Sequence, residues 1–343
     1  MTVLEFDLRF DITAWGRSLP GLPVDNLAIL SAQEKFLKKK RMMHPLLDLA
    51  IQKRFGYKHR HWVRTPWENL SSKQKNSEDL AYEACLQLNL SKSPSCFLYG
   101  TTTSTRYTSS QATAIAGRLG WRLPALELKA GCSTSLVTLM NAFFHMSAGC
   151  EDAVISCSET LSKVLSKKNL DTWFGLSDAG AALHIKKTTH GPFKLKKTYF
   201  KSFGEYVDLF TTRGYLPPTI PELEEDLYTM SGDADKMKNL AYEHYGLMLR
   251  EFLPTQEERE SIDWIIPHQV NKQLIVNLQK ELGISGNYMW ISDRFGNPGG
   301  TAVLLALVTA LEEGFFSHPG RILLMSVGGG LSSACQLIEF NMA

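Results

Sequence analysis

Twice along this chain a short apolar run ends in small residues and opens into an apolar helical stretch. That recurrence limits the fold more than any other feature. In the first half, Cys96–Leu98 reads as a strand entering the Thr/Ser-rich loop Thr101–Thr105. Leu126–Leu128 is a second strand, followed at Gly131 by a helix to about Ser147, and Ala153–Ser156 and Ala179–Ile185 read as further buried strands. In the second half Trp264–Ile266 is a strand ending at Pro267-His268, and Leu274–Leu282 is an amphipathic helix stopped by Gly283. Gly299–Glu313 then reads as a helix ended by Gly314, and Ile322–Ser326 as a strand running into Gly328-Gly329-Gly330. The pattern predicts a layered α/β fold whose strand ends carry the chemistry. One stretch breaks it. From about Lys201 to Arg259, Pro217, Pro218 and Pro221 with Glu222, Glu224, Glu225 and Asp226 predict a loop or cap followed by a helix.

The 343 residues are enough to bury a large core. A formal charge of +2 gives no global pull toward nucleic acid or a membrane surface, so neither is expected as a partner. The opening MTVLEFDLRF is not the basic-then-apolar pattern of a secretory signal, and the apolar stretch Thr301 to Leu311 is about half a membrane span. The six cysteines, Cys85, Cys96, Cys132, Cys150, Cys157 and Cys335, include no CxxC pair. That spacing predicts neither a zinc cage nor a disulfide framework, and a reducing, cytoplasmic setting is expected with no metal.

Among the cysteines, Cys132 stands out by position. The segment LELKAGCSTSLVTLMNAFFHMSAG puts it after a strand and inside the first turn of an apolar helix. Free N–H groups and partial positive charge at a helix start stabilise a thiolate, so a depressed thiol pKa is expected here. His268, in DWIIPHQVN, follows a hydrophobic strand directly. Asn297, in DRFGNPGGTA, lies in a Gly- and Pro-rich turn before a helix. Both residue types donate hydrogen bonds to a thioester oxygen, as the enolate of a decarboxylating malonyl group requires, and a histidine also exchanges a proton with a thiol. The terminal glycine run permits close backbone approach, so its amides can complete an oxyanion hole with the amide of Cys132; the rival readings are a phosphate cradle, for which no GK(S/T) or GxGxxG follows, and a plain tight turn. Papain-like hydrolases also use Cys, His and Asn, but their local signature around the nucleophile is absent.

These segments, in this order, resemble the beta-ketoacyl-acyl-carrier-protein synthase III family (KAS III) of the thiolase superfamily almost end to end. ITAWGRSLPGLPVDN is similar to the family's opening strand and loop, and RFGYKHRHWV to its arginine-glycine-basic segment. YGTTTSTRYTSSQA resembles the threonine-rich loop before the nucleophile, and FGLSDAGAALHI the strand closing the first half. PHQVN, GNPGG and GGGLSSA resemble three late motifs. The resemblance implies a five-layered αβαβα thiolase fold of two similar halves, here 1–190 and 191–343, with the cap at about 201–235, and usually a homodimer. It implies Cys132 as acyl carrier, His268 and Asn297 as the pair binding the malonyl thioester oxygen, and Gly329 as amide partner of Cys132. It places Tyr107 across the dimer interface, Asn271 near the pantetheine arm, and Arg54 at the phosphates of coenzyme A. No cofactor is implied: coenzyme A and phosphopantetheine thioesters enter as substrates.

Four departures suggest a specialised relative. GNPGG replaces G-N-T-S-A, and Gly-Cys-Ser-Thr-Ser replaces Ala-Ala-Cys-Ala-Gly. Ala50 stands where a tryptophan is expected, and Gln273, beside Lys272, where a basic carrier-docking residue is usual. Three basic clusters are candidate docking rims for an acidic acyl carrier protein: Lys35, Lys38, Lys39, Lys40 and Arg41; Lys163, Lys167 and Lys168; and Lys194, Lys196 and Lys197. The expected activity is decarboxylative condensation of an acyl thioester with a malonyl-type thioester, in fatty-acid-like or specialised-metabolite synthesis. The alternatives are a non-condensing acyltransferase serving an oxygen or nitrogen acceptor, and an inactive scaffold subunit.

Overall fold

The computed structural model describes residues 3–37, 44–68, 74–170 and 172–341, with the side chains of Phe36, Leu37 and Arg54 outside the description. Its ten principal strands repeat one plan twice. In the first half the strands Phe97–Gly100, Ala125–Leu128, Asp152–Thr160 and Asp178–Lys187 follow in sequence, with helices Gln111–Arg118 and Thr134–Ser147 between the first three. Phe97–Gly100 pairs in parallel with both Ala125–Leu128 and Asp152–Thr160, and Asp178–Lys187 closes antiparallel. The second half repeats this with Trp264–Pro267, helix Lys272–Leu282, Asn287–Tyr288, helix Ala302–Glu312, Gly320–Gly328 and Ser332–Phe340. Its pairings have the same directions.

The halves meet on two antiparallel strands, Val3–Ser18 and Phe193–Ser202. Val3–Phe10 pairs with the latter, and Phe10–Ser18 with Asp178–Lys187, with register shifts near Glu5/Leu8 and Ile12/Ala14. All ten strands thus form one hydrogen-bonded order that turns on this irregular strand, as bulged strands do.

Alternation within the strands builds the layers. Leu98 faces a central core while Phe97 and Tyr99 face an outer one; Ile266 and Leu324 face the centre while Ile265, Leu323 and Met325 face the other outer core. Both sheet faces are therefore covered, which accounts for near-continuous apolar strands rather than alternating ones. The central layer is the helix pair Thr134–Ser147 and Ala302–Glu312. Every residue from Ala302 to Ala310 is buried, as a helix wedged between two sheets requires. The outer helix Lys272–Leu282 instead buries one stripe, Leu274, Ile275, Leu278 and Leu282, and ends at Gly283 in the left-handed conformation.

The proline-rich segment forms a two-stranded ribbon, Phe210–Thr211 with Ser231–Gly232, around a short helix Ile220–Glu224. It then enters the long helix Ala234–Phe252. Among the described residues no helix is long and apolar enough to cross a membrane.

Candidate active site

The strand Ala125–Leu128 delivers Cys132 into a single 3-10 turn, Gly131–Ser133, immediately before the central helix. The turn depends on Gly131, whose φ is +54°; a Cβ there would lie 1.8 Å from the carbonyl oxygen of Gly329. Glycine is required on both counts. The terminal glycine run is thereby pressed against the Cys132 turn. A Cβ on Gly328 would sit 2.5 Å from the Cβ and 2.6 Å from the Sγ of Cys132. Ser326 Oγ donates to the Cys132 carbonyl at 2.9 Å, and Ser332 Oγ to that of Ala130 at 3.0 Å. The amides of Gly329 and Cys132 are close enough to the sulfur to oppose a rise in its pKa, and such a pair of donors is what an oxyanion hole uses.

Burial outweighs those amides. It pushes the Cys132 thiol up to about 11, with the Gly329 amide opposing and the charge of Glu159 adding to the rise. The depressed pKa expected from the helix start is therefore overturned: desolvation of the thiolate exceeds what the turn's N–H groups return.

His268 leaves its strand one residue beyond the Pro267–Met325 pair, and its own amide donates to Met325 O at 2.8 Å. Met325 adjoins Ser326, so His268 and Cys132 meet at the same strand end. The loop around His268 is tied down by neighbours. Gln269 Nε2 donates to the carbonyls of Pro267 and Met289, its Oε1 accepts from Ile291 N, and Tyr57 Oη donates to Val270 O. The imidazole itself is 1 % exposed, yet neither ring nitrogen has a protein partner. Burial alone lowers its pKa to about 3, so the ring is neutral.

Asn297 reaches this point from the other side. Its backbone bridges the segment at Leu176, and its Oδ1 accepts from Gly299 N at 3.0 Å. That bond engages the amide oxygen and leaves Nδ2 as the side chain's donor. Gly300, in the following turn, packs where a Cβ would lie 2.9 Å from Gly131 O. Cys132, His268 and Asn297 are thus gathered by three backbone junctions.

The remaining expected residues lie farther out. Asn271 is buried and caps the helix Lys272–Leu282, its Oδ1 accepting from Leu274 N at 3.1 Å. It also lines a cleft of about 800 Å³ with Ala50, Lys53, Lys238, Tyr242 and Gln273. Arg54 belongs to the helix His44–Phe55 beside that cleft, but its side chain lies outside the described residues. Tyr107 is 69 % exposed on the threonine-rich loop. Of the basic clusters, the third is not a free rim. Lys194, Lys196 and Lys197 sit in the strand Phe193–Ser202 and pair with Asp7, Glu339 and Glu258. In the second, Lys168 Nζ donates to Glu225 O. Lys38, Lys39, Lys40 and Arg41 of the first lie outside the described residues.

Sequence reasoning missed three groups. Glu159 is fully buried and accepts from Thr102 N at 2.8 Å and Thr103 Oγ1 at 2.7 Å; burial pushes it up to about 7. Tyr57 and Tyr245 are buried near enough to Cys132 to feel its charge. A strand-end carboxylate and two tyrosines form no local motif, so only the fold reveals them.

Residues 126–204 match the 3-oxoacyl-[acyl-carrier-protein] synthase III family, and residues 255–340 match the C-terminal part of that family. Beta-ketoacyl-[acyl-carrier-protein] synthase III of Clostridium perfringens is 28 % identical over 296 residues, covering 81 % of this chain and 90 % of the relative. Across both halves, then, the chain is similar to KAS III condensing enzymes. A second KAS III, from Vibrio vulnificus, is 27 % identical over 247 residues, 71 % of this chain and 76 % of the relative. The fold agrees with that of the 3-oxoacyl-(acyl carrier protein) synthase III of Pseudomonas aeruginosa at TM-score 0.81 and 19 % identity, covering 97 % and 99 % of the two chains. It also matches the priming beta-ketosynthase of a polyketide biosynthetic pathway at TM-score 0.78 and 17 % identity, covering 98 % of each.

Proposed function

We propose that this KAS III-like chain performs decarboxylative Claisen condensation, with Cys132 as acyl carrier and with His268 and Asn297 as the enolate-binding pair. In the first step Cys132 Sγ attacks an acyl thioester carbonyl. The oxyanion is held by the amides of Cys132 and Gly329, and the donor thiol leaves. Since Cys132 rests as a thiol and His268 as neutral imidazole, the imidazole takes the sulfur's proton as attack proceeds and passes it to the departing thiolate. In the second step the carbonyl oxygen of a malonyl-type thioester accepts from His268 and from Asn297 Nδ2. Carbon dioxide leaves, and the enolate carbon attacks the acyl carbonyl on Cys132, which departs as thiolate. The product is a beta-ketoacyl thioester.

The observation that carries this reading is a buried histidine with both ring nitrogens unpartnered, together with a buried asparagine amide whose oxygen is already engaged. A buried polar atom without a protein partner calls for one, and a substrate oxygen would supply it here. Simple acyl transfer to an oxygen or nitrogen acceptor would need the base but no second donor. The 800 Å³ cleft through Asn271 gives a pantetheine arm from coenzyme A or an acyl carrier protein its approach. Exposed Tyr107 is the contact for a second copy of the chain. Replacing Asn297 by Ala tests the assignment. Condensation is expected to fall about 10²–10³-fold while acyl loading of Cys132 stays within a few fold. Equal loss of both, or intact condensation, contradicts it.

A further inference from the structure

We propose that Cys96, His145 and Cys150 form a binding site for a thiophilic divalent cation of the zinc class, remote from Cys132. The two sulfurs and one imidazole nitrogen all lie within 4.8 Å of one another. Around a tetrahedral zinc ion, metal–sulfur and metal–nitrogen bonds place such ligand atoms about 3.5–3.8 Å apart. The donor set is also selective, because paired thiolates with an imidazole suit zinc and poorly suit magnesium or calcium.

The three ligands come from elements already locked together. Cys96 immediately precedes the strand Phe97–Gly100, and its carbonyl accepts from Val154 N at 3.0 Å. His145 lies in the last turn of the central helix Thr134–Ser147, and its carbonyl accepts from Cys150 N at 3.0 Å. Asp152, two residues on, accepts from Ser95 N at 2.8 Å and bonds His184 Nε2 at 2.9 Å, which holds the backbone beside both cysteines. Cys96 is buried, while Cys150 and His145 are half-buried. The arrangement gives three protein ligands and one face toward solvent, where water takes the fourth position.

The site is independent of the catalytic one. Cys96 lies before the N-terminal end of Phe97–Gly100, whereas Cys132 follows the C-terminal end of its parallel neighbour Ala125–Leu128. At about 3.3 Å per residue the intervening strand alone separates them by roughly 13 Å. A bound ion would clip the end of the central helix to two strands of the first half. Nothing in the condensation chemistry uses it.

The test is titration of the reduced full-length protein with cobalt(II), followed by absorption. Wild type and Cys132→Ala are both expected to bind one equivalent with a thiolate-to-cobalt charge-transfer band and tetrahedral visible bands. Zinc is expected to displace the cobalt and raise the thermal midpoint. Cys150→Ser and His145→Gln, at half-buried positions, are expected to lose the bands or weaken binding at least tenfold while acyl loading of Cys132 persists. Absence of thiolate bands in wild type overturns the proposal. So do bands that vanish with Cys132→Ala, or that survive unchanged in Cys150→Ser.

Discussion

Gly328→Ala isolates the contact on which nucleophile placement rests. Gly328 ends the strand Gly320–Gly328 with an ordinary negative φ, so alanine suits its backbone. The added methyl, however, falls 2.5 Å from Cys132 Cβ and 2.6 Å from Sγ. Ordinary carbon contacts lie at about 3.5–4.0 Å, so Cys132 must move by roughly 1 Å. Turning the thiol to another rotamer relieves only the sulfur contact, because the Cβ is fixed by the turn. A displacement of that size costs about 10²-fold in a positioned reaction, or ~2.7 kcal/mol of transition-state stabilisation. The assay is single-turnover acyl loading followed by intact protein mass, with the thermal midpoint measured alongside. Loading is predicted to slow about 10²-fold in a variant that still melts cooperatively. Loading within twofold of wild type would refute the reasoning, since the glycine run would then not define where the sulfur sits.

Three further outcomes follow from the same structure. Gly117, exposed in the helix Gln111–Arg118, has nothing within 4 Å of an added Cβ, so Gly117→Ala should stabilise by about 0.5–1 kcal/mol, read as a rise of about 1–3 °C in melting temperature. Glu159 is raised from 4.5 to about 7, so the native state retains a proton that the unfolded chain releases; its contribution is full below pH 4.5 and is lost as pH rises to 7. Glu159→Gln should remove that slope, gaining on wild type by ~3 kcal/mol between pH 4.5 and 7 in parallel denaturant titrations, and superimposable pH profiles would count against it. Leu305, fully buried in the central helix layer, should cost about 2–5 kcal/mol when replaced by Ala, measured by denaturant midpoint.

The elements were legible where their periodicity was strong. The apolar run at Ala302–Ala310 announces a helix buried on all sides, and Gly283 stops its helix as read from sequence. PHQVN and GNPGG placed His268 and Asn297 at strand end and turn because local chemistry decides both positions. The thiol pKa was misread because a helix start is visible in sequence whereas the depth of burial around Cys132 is set by distant segments, chiefly the terminal glycines. Lys194, Lys196 and Lys197 read in sequence as a candidate docking rim, yet their partners Asp7, Glu339 and Glu258 arrive from elsewhere in the chain. The long strand Val3–Ser18 joins two sheets through register shifts that no alternation pattern marks. Cys96, His145 and Cys150 lack metal-motif spacing, and only the shared end of two strands and a helix brings them together.

The central claim is that Cys132 carries the acyl group and gives it up to a malonyl-derived carbon. The direct measurement is intact mass of wild type and Cys132→Ala after exposure to a panel of acyl thioesters, with malonyl thioester added to a matched half. The account predicts acyl mass on wild type alone, discharged into a chain-extended ketone with release of carbon dioxide. Acyl-Cys132 left untouched by malonyl thioester, or no loading from any donor, would contradict it.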